Sequence, residues 1–471
     1  MEPSGPPTRF PAAAGPFDSA LYGDIFTTPE MHAVFDDRNV VGTWLAVEAA
    51  LASVQGELGL IPAEGAQAIE GATQVEQIDW ARLRAGIRSV GRPIAPLLEQ
   101  VVETGGPLVE EWLHWGATTQ DIMDTASVLA IRAALSLVHR DLGRLILRIA
   151  ALAERHRATP VVARTNGQDA VPTTFGFLLA SYAAELDRGR FRLLQAAPRV
   201  LVVQFGGAVG TLAACGPRGQ EVRAALAARL GLDVPDLSWT ASRDRPAEIM
   251  QLLGLLHGAL GRIANDINLW SRTGTGEVAE GTGGGSSSTM PQKRNPRASE
   301  SIGAMARLAR LRAAGALDFL DQSEVRQGAP WMAEWSVIPE MFMLTAASLA
   351  RANELFAHLR VDPAAMRRGF ADSNGHVMAE ALMMTLAARI GRGRAHHLLK
   401  AALEAAGPGA SLVAAVAQSA ELSVVLTRED VERALDPAGY LGLAPQMVDG
   451  LVHRLRAELG TDAAIADGAP G

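Results

Sequence analysis

The stretch VLAIRAALSLVHRDLGRLILRIAAL, residues 128–152, decides the fold class of this 471-residue chain. Its apolar positions recur at alternating steps of three and four residues, which places them on one stripe of a long helix. A second stripe runs from Ile249 to Trp270, and a third, less regular one follows Pro172 as far as Leu186. Because such helices bury their stripes against one another, we predict an all-α fold with a central bundle of long helices.

Changes in composition along the chain predict three helical domains between two tails. Alternation typical of β-strands is scarce, and residues 200–204 form the one short candidate strand. The predicted divisions are a disordered tail over 1–16, an N-terminal helical domain over 17–112, a central helical-bundle domain over 113–370, a C-terminal helical domain over 371–460 and a frayed tail over 461–471.

Composition excludes several classes of function. The net charge of −8 and the absence of any Lys/Arg block argue against nucleic acid or an anionic membrane surface as a partner. No apolar run approaches the roughly 20 residues of a membrane span, and the N-terminus lacks the plan of a signal peptide. The single cysteine, Cys215, fits a reducing compartment, so we expect a cytoplasmic protein. The ten scattered histidines predict no metal site, and no motif for an organic cofactor is present.

The stretch GTGGGSSSTMPQKRNP, residues 281–296, carries the chemistry. Glycine and serine usually indicate a flexible linker. Met290-Pro291, Lys293 and Asn295 are not linker residues, however, and a lid that brings a base to a substrate needs mobility in order to close and exclude water. We therefore interpret this segment as a catalytic loop.

The same segment resembles the GSSxMPxKxNP loop of the fumarase/aspartase superfamily, with Ser286 where the first glycine is usual. Three further stretches are similar to the branch that contains adenylosuccinate lyases and 3-carboxymuconate cycloisomerases. They are FTTPEMHAVFDDRNVVGTWLAVEAALA at 26–52, HWGATTQDIMDT at 114–125 and DPAGYLGLA at 436–444. The resemblance implies a three-domain, all-α fold and a homotetramer whose subunits pool long helices and share active sites.

The resemblance also implies roles for individual residues. Ser287 matches the general base, which needs a stabilised alkoxide because a free serine hydroxyl is a poor base. Lys293 and Asn295 match residues that bind the substrate carboxylate beside the proton removed. Thr118, Thr119 and Gln120 match a stretch that holds a carboxylate, although by themselves they also fit an ordinary helix N-cap.

The opposite side of the expected pocket departs from the family. In ARTNGQDAVPTTFG, residues 163–176, Asn166 follows Thr165 where the family has a histidine. Asparagine cannot exchange a proton near neutral pH. We therefore expect no histidine acid, with Thr165 and Asn166 as substrate-binding residues. Other candidate binding residues are His114, which also fits packing, Arg92, which also fits a solvated arginine, and Arg243, which also fits a salt bridge to Asp244 or Glu248.

These features favour β-elimination from a small C4-dicarboxylate. A leaving group that needs no acid fits Asn166, so the preferred substrate is nitrosuccinate, which would give fumarate and nitrite. The segment Glu324–Trp335 places Met332 and Trp335 where adenylosuccinate lyases hold a phosphate, which disfavours nucleotides. The alternatives are a carboxymuconate cycloisomerase, another amino-succinate lyase and, least favoured, a scaffold without activity.

Overall fold

The computed structural model describes residues 15–281, 285–286 and 289–460, and α-helix predominates in them. The predicted tails lie almost entirely outside the described residues. The α-helices of the described part are α1 Gly23–Phe26, α2 Pro29–Phe35, α3 Asp37–Glu57, α4 Ala63–Ala72, α5 Trp80–Val90, α6 Ile94–Gly105, α7 Pro107–Trp112, α8 Thr119–Arg155, α9 Phe175–Val200, α10 Gly219–Leu230, α11 Asp244–Trp270, α12 Arg297–Gly315, α13 Gly328–His358, α14 Pro363–Asp372, α15 Ala379–Ile390, α16 Arg392–Ala406, α17 Leu412–Gln418, α18 Ala420–Val425, α19 Arg428–Ala434 and α20 Ala444–Leu459.

Strands are short and form antiparallel pairs. The pairs are β1 Pro160–Thr165 with β2 Gln168–Thr174, β3 Val278–Ala279 with β6 Arg360–Val361, and β4 Gly285–Ser286 with β5 Arg294–Asn295. Short 3₁₀ segments lie at Val75–Gln77, Ala213–Arg218, Ala316–Leu320, His376–Met378 and Pro437–Tyr440.

The three sequence stripes lie in the three helices expected of them. Residues 128–152 belong to α8, Ile249 to Trp270 to α11, and the stretch after Pro172 to α9. The prediction of an all-α fold is confirmed. By length and composition α8 could also cross a membrane, and half of its most apolar 18-residue window is buried inside the protein.

The chain divides into two compact units, each assembled from three separate segments. Unit 1 contains residues 1–139, 189–258 and 305–350, and unit 2 contains 140–188, 259–304 and 351–471. These boundaries fall inside long helices such as α8, α11 and α13, so each of these helices supplies residues to both units. The division into three consecutive domains stays a prediction.

Each unit has its own apolar core. In unit 1, Leu51 of α3 and the buried Val203 and Trp239 belong to one cluster. In unit 2, Leu382 of α15 and Leu399 of α16 belong to another. Burying one such side chain contributes about 1.5–3 kcal/mol, so these clusters are the main source of stability within each unit.

Two local predictions were wrong or missing. The candidate strand at 200–204 is not a strand: Val200 ends α9, and Val202 makes a single bridge to Asp233. Its apolar residues reflect burial rather than a sheet, since Val203 and Gln204 are fully buried. Conversely, the hairpin β1–β2 was not predicted, although an Asn-Gly pair between two valine-containing stretches is a strong signal for a two-residue hairpin turn.

A buried ion cluster lies in unit 1 around Arg243, which is 2% exposed. Its guanidinium donates from Nη1 and Nη2 to Asp124 at 2.6 and 3.0 Å, and from Nε to Glu334 at 2.7 Å. Trp331 Nε1 donates to the same Asp124 at 2.9 Å. Burial raises the pKa of Glu334, and the nearby Asp124 carboxylate adds to that effect while Arg243 opposes it. One guanidinium thus binds two buried carboxyl groups.

We predict that Arg243→Met destabilises the protein by about 3–5 kcal/mol, because it leaves two buried carboxylates without their cation. Urea unfolding at one fixed protein concentration measures the change. The matched control is Arg199→Met, since Arg199 pairs with Glu248 at the surface and such pairs contribute about 0–1 kcal/mol. Equal losses in the two variants would contradict this role for Arg243.

Candidate active site

The start of α8 is tied to a buried loop by the carboxylate of Asp121. It accepts hydrogen bonds from the backbone N–H groups of Thr118 at 3.1 Å, Gly206 at 3.1 Å and Gly207 at 2.8 Å, and from Gln204 Nε2 at 2.9 Å. Burial raises the pKa of Asp121 to about 6, although these four hydrogen bonds lower it. The contacts hold the first turn of a 37-residue helix against the 204–207 loop.

A cation lies at this helix N-terminus. Arg326 Nη1 donates to the Thr118 hydroxyl at 3.0 Å, and Nη2 donates to the Ala208 carbonyl at 2.7 Å. The positive end of a helix favours anions, and a guanidinium adds a full charge and a fork suited to carboxylates. Sequence reasoning did not single out Arg326, because 208 residues separate it from Thr118.

Gln120 and Thr119, the other two candidate residues of this stretch, differ in burial and in their contacts. Gln120 is 1% exposed and its Nε2 donates to the Thr240 carbonyl at 3.0 Å, so its amide supports a neighbouring loop. Thr119 is the first residue of α8 and is half-buried. Thr118, which lies beside Arg326, is therefore the member of the trio with the clearest placement for binding an anion.

His114 lies just before this stretch and pairs with an acid. Its Nδ1 is 2.6 Å from Oε1 of Glu48, whose side chain is 1% exposed, while that of His114 is 21% exposed. The backbone of His114 has φ 60°, in the left-handed region that costs a non-glycine residue energy. Such strain persists where surrounding contacts determine the conformation, as at the turn from His114 to Ala117.

Arg92 is stacked on aromatic rings rather than fully solvated. Its guanidinium carbon is 5.5 Å from the ring centre of Trp331 and 5.6 Å from that of Trp335, within cation–π range. Its Nη1 donates to the Gly91 carbonyl at 2.7 Å. Gly328 at the start of α13 lies close to this guanidinium, since a Cβ at that position would be 2.7 Å from Arg92 Nη2.

Arg243 has its donors engaged by internal acids. Arg243 forms salt bridges, as the alternative interpretation of the sequence expected. Its partners are Asp124 and Glu334 instead of Asp244 or Glu248. Glu248 pairs with Arg199. These contacts favour a structural role for Arg243 over contact with a substrate.

In unit 2, Thr165 and Asn166 lie at the tip of the β1–β2 hairpin and are exposed. Asn166 and Gly167 form its two-residue turn, with φ 52° and 77°. Both residues have positive φ, which Asn-Gly pairs adopt readily. Below the tip, Arg164 forms two hydrogen bonds with Glu277, at 2.7 and 2.8 Å. Asn166 therefore satisfies a backbone requirement besides any chemical one.

The two ends of the serine-rich loop are held together, also in unit 2. Before the loop, Glu280 accepts hydrogen bonds from the backbone N–H groups of Ala298 and Ser299, both at 2.9 Å, beyond its far end. The β4–β5 pairing closes the segment further in. Lys293 is exposed and Asn295 is half-buried. Ser287, the predicted base, lies outside the described residues.

The candidate residues are thus distributed over both units. Unit 1 contains Arg92, His114, Thr118, Thr119, Gln120 and Arg243, and unit 2 contains Thr165, Asn166, Lys293 and Asn295. Within the part of the chain that the structure describes, no three His, Cys, Asp or Glu side chains are grouped to hold a metal ion.

Comparison with known proteins gives close relatives over nearly the whole chain. It is 40% identical to a 3-carboxy-cis,cis-muconate cycloisomerase of Pseudomonas aeruginosa, with 91% of this chain and 95% of that one covered. It is 39% identical to trans-aconitate decarboxylase 1 of Mycosarcoma maydis, with 93% and 90% covered. It is 35% identical to an N-acetyl-S-(2-succino)cysteine lyase of Dickeya dadantii, with 93% and 96% covered.

Comparison with solved structures gives relatives of the same kind. The 3-carboxy-cis,cis-muconate lactonizing enzyme of Pseudomonas putida superposes with a TM-score of 0.87 at 38% identity, covering 93% of this chain and 99% of that one. A family model described as lyase matches residues 25–310, and one described as adenylosuccinate lyase C-terminus matches 375–451. The chain therefore belongs to the fumarase/aspartase superfamily of lyases, in the branch of adenylosuccinate lyases and carboxymuconate cycloisomerases.

Proposed function

We propose that this protein catalyses β-elimination from a 2-substituted succinate to give fumarate, and the reverse addition. The observation that carries the proposal is the anion site at the start of α8, where Arg326 and the Thr118 hydroxyl meet a helix N-terminus. One carboxylate of a C4-dicarboxylate matches this site in charge and in its need for several donors. The family adds the base and the second carboxylate site on the loop.

In this mechanism Ser287 removes the proton from the carbon beside a carboxylate. The carboxylate then carries a second negative charge, and donors already aimed at it stabilise the transition state more than the substrate. Lys293 supplies a cation and Asn295 an amide for this purpose. Thr118 and Arg326 hold the other carboxylate through charge and hydrogen bonds.

The leaving group distinguishes the candidate substrates. Nitrite rests on Asn166 together with the missing phosphate ligands, and the structure gives Asn166 a second explanation, the hairpin turn. Similarity at 40% identity supports a cycloisomerase more strongly, with an internal carboxylate as the nucleophile that closes a lactone. The Dickeya relative supports a succinyl thioether. The cycloisomerase is therefore our second candidate function, beside elimination from a 2-substituted succinate. Among the substrates for elimination, nitrosuccinate is kept as one to be tested.

We predict that wild-type enzyme releases fumarate from at least one 2-substituted succinate and that Ser287→Ala lowers kcat by at least about 100-fold. The assay follows fumarate absorbance with nitrosuccinate, S-succinyl and N-succinyl compounds, and follows carboxymuconate loss in parallel. Ser423→Ala is the matched control, because Ser423 lies on α18 and its hydroxyl donates to the Ser419 carbonyl. Turnover of carboxymuconate alone would select the cycloisomerase, and full activity in Ser287→Ala would refute the base.

We predict that Arg326→Ala raises KM for the dicarboxylate by about 10-fold or more, since it removes a charge-assisted contact made in both ground and transition states. Steady-state kinetics separate KM from kcat. Arg38→Ala is the control, because Arg38 forms an exposed ion pair with Glu76. An unchanged KM in Arg326→Ala would remove this arginine from the site.

The homotetramer and the cytoplasmic location complete the proposal. Exposed leucines on the long helices support association, namely Leu255 and Leu269 of α11 and Leu311 of α12. Their exposed fractions of 59%, 41% and 68% are large for leucine, and burial against other subunits would remove that apolar surface from water.

A further inference from the structure

A cavity of about 370 Å³ lies within unit 1, between α2, α3, the turn from α5 to α6, α8 and α13. The proposed elimination makes no use of it, and Thr118 and Arg326 are not among the described residues that line it. An engineered cavity of about 150 Å³ admits benzene, and pockets for small molecules span roughly 300–1,000 Å³. The cavity therefore has room for an aromatic ring with a further substituent.

The burial of the lining residues shows how the cavity is oriented. Asp37 at the start of α3 and Gly91 in the turn from α5 to α6 are exposed, so they mark its mouth. Asp124 of α8 and Glu334 of α13 are buried, so they mark its inner end. A ligand that enters from the surface can thus bury its body and approach these two carboxyl groups.

Four aromatic side chains line the cavity, namely Phe35, Trp44, Trp331 and Trp335. The last two meet edge to face, with ring centres 5.0 Å apart and an angle of 81° between the rings. The face of an indole attracts a cation within about 6 Å of the ring centre. The guanidinium of Arg92 already lies 5.5 and 5.6 Å from these two ring centres, so the rings favour cations as well as apolar groups.

The charged residues of the wall are acidic. Asp37, Asp124 and Glu334 line the cavity, and no lysine, arginine or histidine lines it in the part of the chain that the structure describes. Two of these acids share the single guanidinium of Arg243. Burial raises the pKa of Glu334, and a cation in the cavity would favour its ionised form. The wall therefore attracts a cation and repels an anion.

The hydrogen bonds at the inner end select the kind of cation. Asp124 accepts from Arg243 and from Trp331 Nε1, and Glu334 accepts from Arg243 Nε at 2.7 Å. These carboxyl groups already have their donors, so they do not require more from a ligand. A cation without N–H groups gains their charge and the aromatic faces without needing an acceptor of its own.

We propose that this cavity binds a small organic cation with an apolar body, of the quaternary ammonium class. Its charged group lies at the inner end, towards the acids, and its apolar part lies against the aromatic rings. The site is separate in its chemistry from the anion site of Thr118 and Arg326, which takes a carboxylate.

The first test changes the charge of a probe and keeps its shape. Phenyltrimethylammonium and tert-butylbenzene differ by nitrogen in place of carbon, and isothermal titration calorimetry measures both against the wild-type protein. We expect the ammonium ion to bind at least about 5-fold more tightly, because only the cation gains from the acids and the ring faces. Absence of ammonium binding, or equal binding of the hydrocarbon, would overturn the proposal.

The second test locates the site. Ala130 of α8 lines the cavity, and Ala130→Leu places extra methyl groups in it while leaving the rings and acids unchanged. We expect at least about 5-fold weaker binding of phenyltrimethylammonium, since overlap in a filled space is costly. The matched control is Ala133→Leu, because Ala133 is exposed on the same helix. Unchanged affinity in Ala130→Leu, with thermal unfolding like that of the wild type, would refute binding in this cavity.

The third test concerns the ring faces. Trp44→Leu is expected to weaken phenyltrimethylammonium at least about 5-fold and tert-butylbenzene less than about 2-fold, because leucine keeps an apolar wall and lacks a π face. Trp44→Phe is expected to restore much of the preference for the cation. The control is Trp80→Leu, since Trp80 is 38% exposed at the start of α5. An equal loss for the two probes in Trp44→Leu would contradict recognition by the rings. These measurements follow binding alone, so they bear on this site whether or not fumarate is formed.

Discussion

The candidate site depends on one buried carboxylate, that of Asp121 at the first turn of α8. Asp121 accepts hydrogen bonds from Thr118 on one side and from Gln204, Gly206 and Gly207 on the other. Burying a charged group is costly unless several donors compensate it. Here the four donors belong to segments far apart in sequence, so the same hydrogen bonds that stabilise Asp121 also position the anion site.

Two arginines of unit 1 show how the surroundings decide the role of a residue type. Arg243 is almost fully buried and its donors are engaged by Asp124 and Glu334, so its contribution is to stability. Arg326 is exposed and donates to one hydroxyl and one carbonyl. A guanidinium has five N–H donors, so Arg326 retains donors with which to bind a ligand.

Asn166 can be explained by turn geometry as well as by chemistry, and this affects what the residue implies about the leaving group. Asn166 was interpreted from sequence as the loss of an acid, but its positive φ and the following glycine make asparagine a suitable turn residue at that point. His114 and Glu48 form a hydrogen-bonded pair elsewhere in the chain. The absence of one family histidine therefore does not by itself imply a leaving group that needs no proton.

Much of the fold was predictable because it is encoded locally. Apolar residues at steps of three and four determine a buried helical stripe wherever the helix packs, so α8 and α11 followed from the sequence. The β1–β2 hairpin was equally local, in its Asn-Gly turn, and was overlooked. Residues 200–204 were wrongly predicted as a strand because full burial and strand pairing both favour β-branched residues.

By itself the sequence determined the helical class and the family, since each depends on residues adjacent along the chain. The catalytic role of the loop stays a prediction. Only the tertiary structure decided that Arg326 lies on Thr118, that Arg243 binds Asp124 and Glu334, and that Glu48 lies behind His114. Those contacts join residues separated by tens to hundreds of positions. Hydrogen bonds and ion pairs act over a few ångströms in space, and periodicity along a chain does not specify which distant residues come that close.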